Sequence, residues 1–149
     1  EKSFFDVLSY TNKNIIASHS NLKSICDHQR NLSDEQLKKL KEADGLLGLT
    51  LAGSFIAKEK ADRTIENFIN HLEKAVNILG VDNICFGFDF MDYFDDDVGS
   101  NIEEVPNALY AHKIIEKMVQ IGFNAEDIRK ITYDNFVNRF KHHIINSEE

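Results

Sequence analysis

The run Leu46-Leu47-Gly48-Leu49-Thr50-Leu51 is too short for a core helix and almost wholly apolar on both faces of any strand it forms. Such strands belong to sheets covered on both sides, and those sheets are usually parallel because helices cross over each face between successive strands. The flanking sequence meets that demand. Residues 14–18 and 83–88 read as two further strands, and helical patterns separate the three. Phe4, Phe5 and Leu8 mark a helix over 3–11. Ser33-Asp34-Glu35-Gln36 is a capping box opening a helix to about Ala43, followed by Gly45. Ile65, Phe68, Ile69, Leu72, Val76 and Leu79 repeat at helical spacing over 62–79, and Gly80 ends the run. Pro106 sits near the start of a helix closed by Gly122, Asn124 caps a short helix to Lys130, and Thr132 caps a last one to about His143.

Three parallel strand–helix units do not close a sheet. An eight-stranded (β/α)8 barrel takes roughly 250 residues, so three units amount to about the last two fifths of one. The expectation is an α/β fold in which residues 1–149 form the C-terminal portion of a single TIM-barrel domain. The chain opens at Glu1 without Met, which reads as a piece cut from a longer protein.

Composition narrows the function classes. A net charge of −8 argues against a nucleic-acid binder, which needs a basic face to neutralise phosphates. No apolar run approaches the roughly 20 residues that span a bilayer, and no charged start leads into an apolar stretch, so neither a transmembrane segment nor a signal peptide is expected. Cys26 and Cys85 lack CxxC spacing, and Cys85 sits within a strand as a structural thiol. A reducing cytoplasm is the expected compartment.

His19, Arg30 and Asp89 stand at or just beyond the ends of strands, the rim where a parallel α/β enzyme gathers its chemistry. Taken singly, each has a plain reading beside the functional one. His19 is a hydrogen-bonded structural residue or a metal ligand; Arg30 is a surface residue or a fork for a carboxylate; Asp89 is a solvated loop carboxylate or one with a chemical task. The stretch 89–97 lacks the Gly at its sixth position and the Glu twelve residues in that a helix–loop–helix calcium site requires, so Asp95 to Asp97 read as a solvated loop. His71, on the polar flank of its helix, and His112 read as structural. The pair His142-His143 has no third ligand nearby.

Several strings, in order, resemble the membrane (renal-type) dipeptidases. They are Ile15-Ile16-Ala17-Ser18-His19-Ser20-Asn21, Cys26-Asp27-His28-Gln29-Arg30-Asn31-Leu32-Ser33-Asp34-Glu35-Gln36-Leu37, Gly87-Phe88-Asp89-Phe90 and Asp134-Asn135-Phe136. The resemblance implies a zinc-dependent dipeptidase on a metal-dependent-hydrolase barrel, with two zinc ions at the C-terminal mouth. By the same resemblance His19 is a zinc ligand and Arg30 grips the free carboxylate of the dipeptide. Asp89 contacts the substrate near its amino end or relays a proton. The family's His-x-Asp pair, bridging Glu and first zinc His would lie before residue 1. The remaining N-terminal part of the barrel is therefore an expected partner, the fragment alone is expected to be inactive, and a homodimer is compatible.

The chain also departs from the family pattern. Met91-Asp92 follows Asp89-Phe90 where the family continues Asp-Gly. Leu51-Ala52-Gly53-Ser54 stands where an aromatic is common, and Gln29 stands where bacterial relatives tend to have Pro. These changes bear on the walls of the substrate pocket. Two rival readings stay open: another metal-dependent barrel hydrolase, such as a deaminase or lactonase, and a catalytically inactive relative that acts as a binding protein.

Overall fold

The computed structural model describes residues 2–11, 14–93 and 101–145. Its elements run α1 (Lys2–Tyr10), β1 (Ile16–Ala17), α2 (Asp34–Glu42), β2 (Leu46–Leu49), the single turn α3 (Gly53–Ile56), α4 (Ile65–Leu79), β3 (Ile84–Phe86), α5 (His112–Gln120), α6 (Ala125–Arg129), a π-helical turn at Lys130–Asp134 and α7 (Asn135–Ile145). The three strands form one sheet in the order β1-β2-β3, and both pairs are parallel, with Ile16 opposite Leu46 and Gly48 opposite Cys85. The parallel sheet with helical crossovers is therefore the architecture that the apolar run at 46–51 demanded.

Every residue of β2 is buried, because strands flank it on both edges and side chains cover both faces. Leu47, Leu49 and Ile84 of the sheet share one core with Leu37 and Leu40 of α2, Phe68 and Leu72 of α4, and Ile114 and Met118 of α5. Burying a leucine of this kind contributes about 2 kcal/mol. The helices α2 and α5 each pack against α4.

Local chemistry explains the element ends. Ser33 Oγ accepts the Gln36 N–H at 3.2 Å while Gln36 Oε1 accepts the Ser33 N–H at 2.9 Å, so the expected capping box is complete. The expected helix over 62–79 begins instead at Ile65. Thr64 Oγ1 caps it by accepting the Asn67 N–H at 3.3 Å, and Lys60–Asp62 is a separate 3-10 turn. Pro106 likewise precedes a 3-10 turn at Ala108–Tyr110, and α5 starts only at His112.

The strands are shorter than the sequence suggests. Thr50 leaves the ladder because the Asn21 side chain takes both its backbone groups: Asn21 Nδ2 donates to the Thr50 carbonyl at 3.0 Å, and the Thr50 N–H donates to Asn21 Oδ1 at 3.1 Å. Beyond β3, pairing survives only as isolated bonds, Gly87 N–H to the Leu49 carbonyl at 2.9 Å and Leu51 N–H to the Phe88 carbonyl at 3.2 Å.

Two further expectations need correction. Thr132 caps no new helix: α6 and α7 run together through the π turn, and the Thr132 hydroxyl donates back to the Ile128 carbonyl at 2.7 Å. The turn sets Asn135 beneath the sheet, where its Nδ2 donates to the Val81 and Ile84 carbonyls at 2.7 and 2.8 Å. His71 does not lie on a polar flank but is fully buried. Its structural role stands, while His112 is exposed, with Nδ1 against the Leu109 carbonyl at 2.9 Å.

Cys26 and Cys85 are both free and buried. Burial pushes both thiols up, Cys85 to about 12, so neither is a reactive thiolate. The run Asp95 to Asp97 and the His143 side chain lie outside the described residues. No helix among the described residues is long and apolar enough to cross a membrane.

Candidate active site

The segment after β1 turns across the sheet. The Ser18 carbonyl oxygen lies so close to Gly48 and Gly87 that a Cβ on either would collide with it. Those two glycines let the chain cross at this level, and the Ser20 N–H then docks on the Gly48 carbonyl at 2.9 Å. His19 lies between these two anchors, two residues past the end of β1, on the rim formed by the C-terminal ends of the strands.

Arg30 returns to the same place from the far end of the loop. Its backbone is held on both sides: its N–H donates to His28 Nδ1 at 3.3 Å, and its carbonyl accepts the Ser20 hydroxyl at 2.7 Å. The guanidinium Nη2 then meets His19 Nε2 in a close contact. A guanidinium can only donate, so Nε2 is the acceptor and the ring proton sits at Nδ1, facing Ser18 Oγ at 2.8 Å. The imidazole is thus oriented by its neighbour and presents the Nε2 lone pair at the rim.

Buried asparagines that carry no motif of their own hold this loop. Asn31 Nδ2 donates to the Cys26 and Phe55 carbonyls at 2.9 and 2.8 Å, and its Oδ1 accepts the Asn21 N–H at 3.0 Å. Asn21 in turn ties the loop to β2 through Thr50. Their signal in the sequence is position: each follows a candidate residue within two places, as Asn21 after His19 and Asn31 after Arg30. Phe55 of α3 completes the corner. The His28 ring stacks on it at 4.2 Å between centroids, and the Arg30 guanidinium lies 5.0 Å from its centroid. Burial, and secondarily the Arg30 charge, lowers the His28 pKa below its ordinary value.

Asp89 stands on the same rim, three residues past β3, with a left-handed backbone (φ 56°). Asn101 secures it: Nδ2 donates to the Phe88 and Asp89 carbonyls at 3.1 and 3.2 Å, and Oδ1 accepts the Met91 N–H at 2.9 Å. Its carboxylate is exposed, and among the described residues no hydrogen bond or ion pair joins it to His19 or Arg30. The structure therefore brings two of the three candidates into contact and sets the third on the same edge. A nearby cleft of about 620 Å³ is lined by other residues, among them Lys60, Arg63, Asn101 and Glu103.

His19 suits a metal in its orientation, but the Nε2 lone pair that a metal would take is the one that accepts from Arg30 here. It is one ligand, where a zinc site takes three or four. Among the described residues no group of three or more His, Cys, Asp or Glu side chains is placed to hold a metal ion.

Comparison with known proteins identifies the architecture. A metallo peptidase from Rhodobacter sphaeroides, solved with a phosphinate mimic of the dipeptide L-Ala-D-Ala, superposes with a TM-score of 0.82 at 26% identity, over 95% of this chain and 39% of that one. A dipeptidase of metallopeptidase family M19 gives a TM-score of 0.83 at 26% identity, covering 95% and 40%. In sequence, the dipeptidase tcpJ of Claviceps purpurea is 26% identical over 92% of this chain and 31% of its own length. The dipeptidase aclJ of Aspergillus oryzae is 24% identical over 87% and 30%. This chain thus spans about a third of the length of those two relatives. Residues 1–147 match the family described as membrane dipeptidase, and the chain belongs to that family, peptidase family M19.

Proposed function

We propose that these residues are the C-terminal portion, about three βα units, of a (β/α)8 zinc-dependent dipeptidase that hydrolyses dipeptides bearing a free α-carboxylate. The contact of His19 Nε2 with the Arg30 guanidinium at the sheet's C-terminal rim carries the reading. It sets a potential metal ligand beside a potential carboxylate fork, which is the pairing a dipeptidase needs. Membership of a dipeptidase family supports the reaction class.

In this reading His19 supplies Nε2 to one of two zinc ions, and the other ligands come from the rest of the barrel. Zinc bound there would polarise the peptide carbonyl and render a bound water nucleophilic near neutral pH. Arg30 makes a bidentate pair with the substrate carboxylate, so only a substrate ending one residue beyond the scissile bond is held. Asp89 receives the substrate's amino group or relays a proton to the leaving amine. In this reading the chain by itself is inactive, because the one ligand among the described residues does not make a site. Two buried free thiols suit a reducing cytoplasm.

The test is a substrate panel on the complete natural protein with zinc: dipeptides, their C-terminal amides, tripeptides, nucleobases and lactones. Dipeptides with a free carboxylate should be turned over, and amides and tripeptides should not. Turnover of nucleobases or lactones without dipeptides would overturn the reading in favour of another hydrolase of this fold, and turnover of nothing would favour a binding protein. Arg30→Ala should cost of order 2–5 kcal/mol in substrate binding, seen as a raised KM, if the charge pair is desolvated.

A further inference from the structure

We propose that Phe55 is a positioning residue for Arg30, setting the guanidinium where a substrate carboxylate can meet it; this rests on the reading of Arg30 as the carboxylate fork. Arg30 is exposed, and a free arginine side chain loses rotamer entropy when it is fixed in one place. A fork for a small substrate gains from having that ordering done before the substrate arrives. Phe55 is the nearby rigid surface. It is 6% exposed, sits in α3 directly after β2, and its backbone carbonyl is tied by Asn31 to the loop that carries Arg30.

The ring serves two residues of that loop. Stacked at 29° to its plane, the His28 ring is held on it, while His28 Nδ1 accepts the Arg30 N–H; the guanidinium packs on the same ring. Phe55 therefore contacts both the Arg30 head group and the residue that holds the Arg30 backbone. Cation–π attraction uses the face of the aromatic ring and leaves for a carboxylate the guanidinium N–H groups that His19 does not engage. The arrangement also joins two strand ends, because the ring belongs to the segment after β2 and the fork to the segment after β1. No local sequence pattern marks this pairing, since Phe55 and Arg30 lie on different strand–helix connections.

The experiment uses the complete zinc-loaded protein with Phe55→Leu, Phe55→Tyr, Arg30→Ala and the double change of Phe55→Leu with Arg30→Ala. Two readouts are taken. Loss of the ring should raise the dipeptide KM about three- to tenfold with kcat changed less than about twofold. Tyrosine, which keeps the ring face, should restore the value, and the Leu change should add nothing once Arg30 is alanine. Independently of turnover, phenylglyoxal should modify Arg30 faster in Phe55→Leu than in the natural protein or in Phe55→Tyr, followed by the mass of the Arg30 peptide. Should Phe55→Leu not fold, Phe55→Met replaces it in both readouts. An equal KM increase on the Arg30→Ala background, or an unchanged rate of Arg30 modification, overturns the proposal. If no dipeptide is cleaved, the dipeptidase reading falls, while the labelling rate still decides whether Phe55 holds Arg30.

Discussion

The Leu22 backbone N–H donates to His71 Nδ1 at 3.1 Å, across 49 residues of sequence. With Nδ1 as acceptor, the ring proton sits on Nε2 and faces the Ile56 carbonyl at 3.1 Å. One neutral imidazole thereby joins the loop after β1, the turn α3 and the helix α4.

Burial lowers the His71 pKa to about 4 from an ordinary 6.5. The folded value lies below the unfolded one, so stability is fully present above pH 6.5 and falls as acid protonates the unfolded chain first. The loss runs from about pH 6.5 to about pH 4 and amounts to about 3 kcal/mol at its end. Carboxylates such as Asp34 and Asp44, held below their usual range by Ser24 and Arg139, titrate in acid too. Urea denaturation of the natural protein should therefore be compared with that of His71→Gln at both ends of this window. The variant should be less stable near neutrality and lose less on acidification; parallel losses would show that His71 does not cause the slope.

Asn31→Ala removes three hydrogen bonds from buried backbone groups of Asn21, Cys26 and Phe55. A destabilisation of roughly 3 kcal/mol is expected, since unmatched buried polar groups cost more than the bonds contributed. Thermal denaturation measures it. A change within about 0.5 kcal/mol, the range of an ordinary surface substitution, would contradict the anchoring role.

Gly87→Ala forces a Cβ into the Ser18 carbonyl, which is backbone and has no rotamer through which to yield. Overpacking of this sort costs about 1–3 kcal/mol. Because the displaced residue precedes His19, turnover by the complete protein should fall further than stability alone explains. Denaturation and kinetics on the same sample decide this, and full activity in a destabilised variant would detach Gly87 from the site.

Ser18→Ala leaves His19 Nδ1 without its partner. If Nε2 holds zinc, losing the group that orients the ring should weaken metal affinity about tenfold or more. Competition with a chelator reads the affinity directly, and an unchanged value would argue that the ring is oriented by other means.

Arg139 bridges the opposite end of the sheet. Its Nη2 donates to Asp44 Oδ1 at 2.9 Å and to the Asp82 carbonyl at 3.3 Å. Asp44 is largely exposed but the Arg139 side chain is mostly buried and also donates to the Asp44 carbonyl, so Arg139→Met should cost about 1–3 kcal/mol. It should also leave KM alone, since this end lies away from the rim; a shifted KM would mean that the two ends are coupled.

The legible part of this protein was what a few neighbouring residues decide. The apolar run at 46–51 implied a buried parallel strand because burial on both faces demands covering helices. Ser33 and Gln36 announced their helix start because a capping box closes within four residues. The spacing from His19 to Arg30, kept with the capping box just after it, carried the family resemblance. Thr132 misled, since a hydroxyl that can cap a helix can equally bond back within one, and only the packing around it chooses. His71 misled in burial, because a ring on a helix flank is exposed or buried according to which loop lies over it.

From the sequence alone came the order of the three strands and the main helices between them, the parallel class of the sheet and the strand-end position of His19, Arg30 and Asp89. Tertiary structure alone decided that His19 and Arg30 touch while the Asp89 carboxylate bonds to neither. It decided too that Gly48 and Gly87 clear a path for Ser18, and that Asn21, Asn31 and Asn101 hold the rim. The physical reason is range. Periodicity and capping act over a turn or two of chain, whereas these contacts close across separations such as the 29 residues from Asn21 to Thr50. Which polar group meets which then depends on how the strands and helices pack.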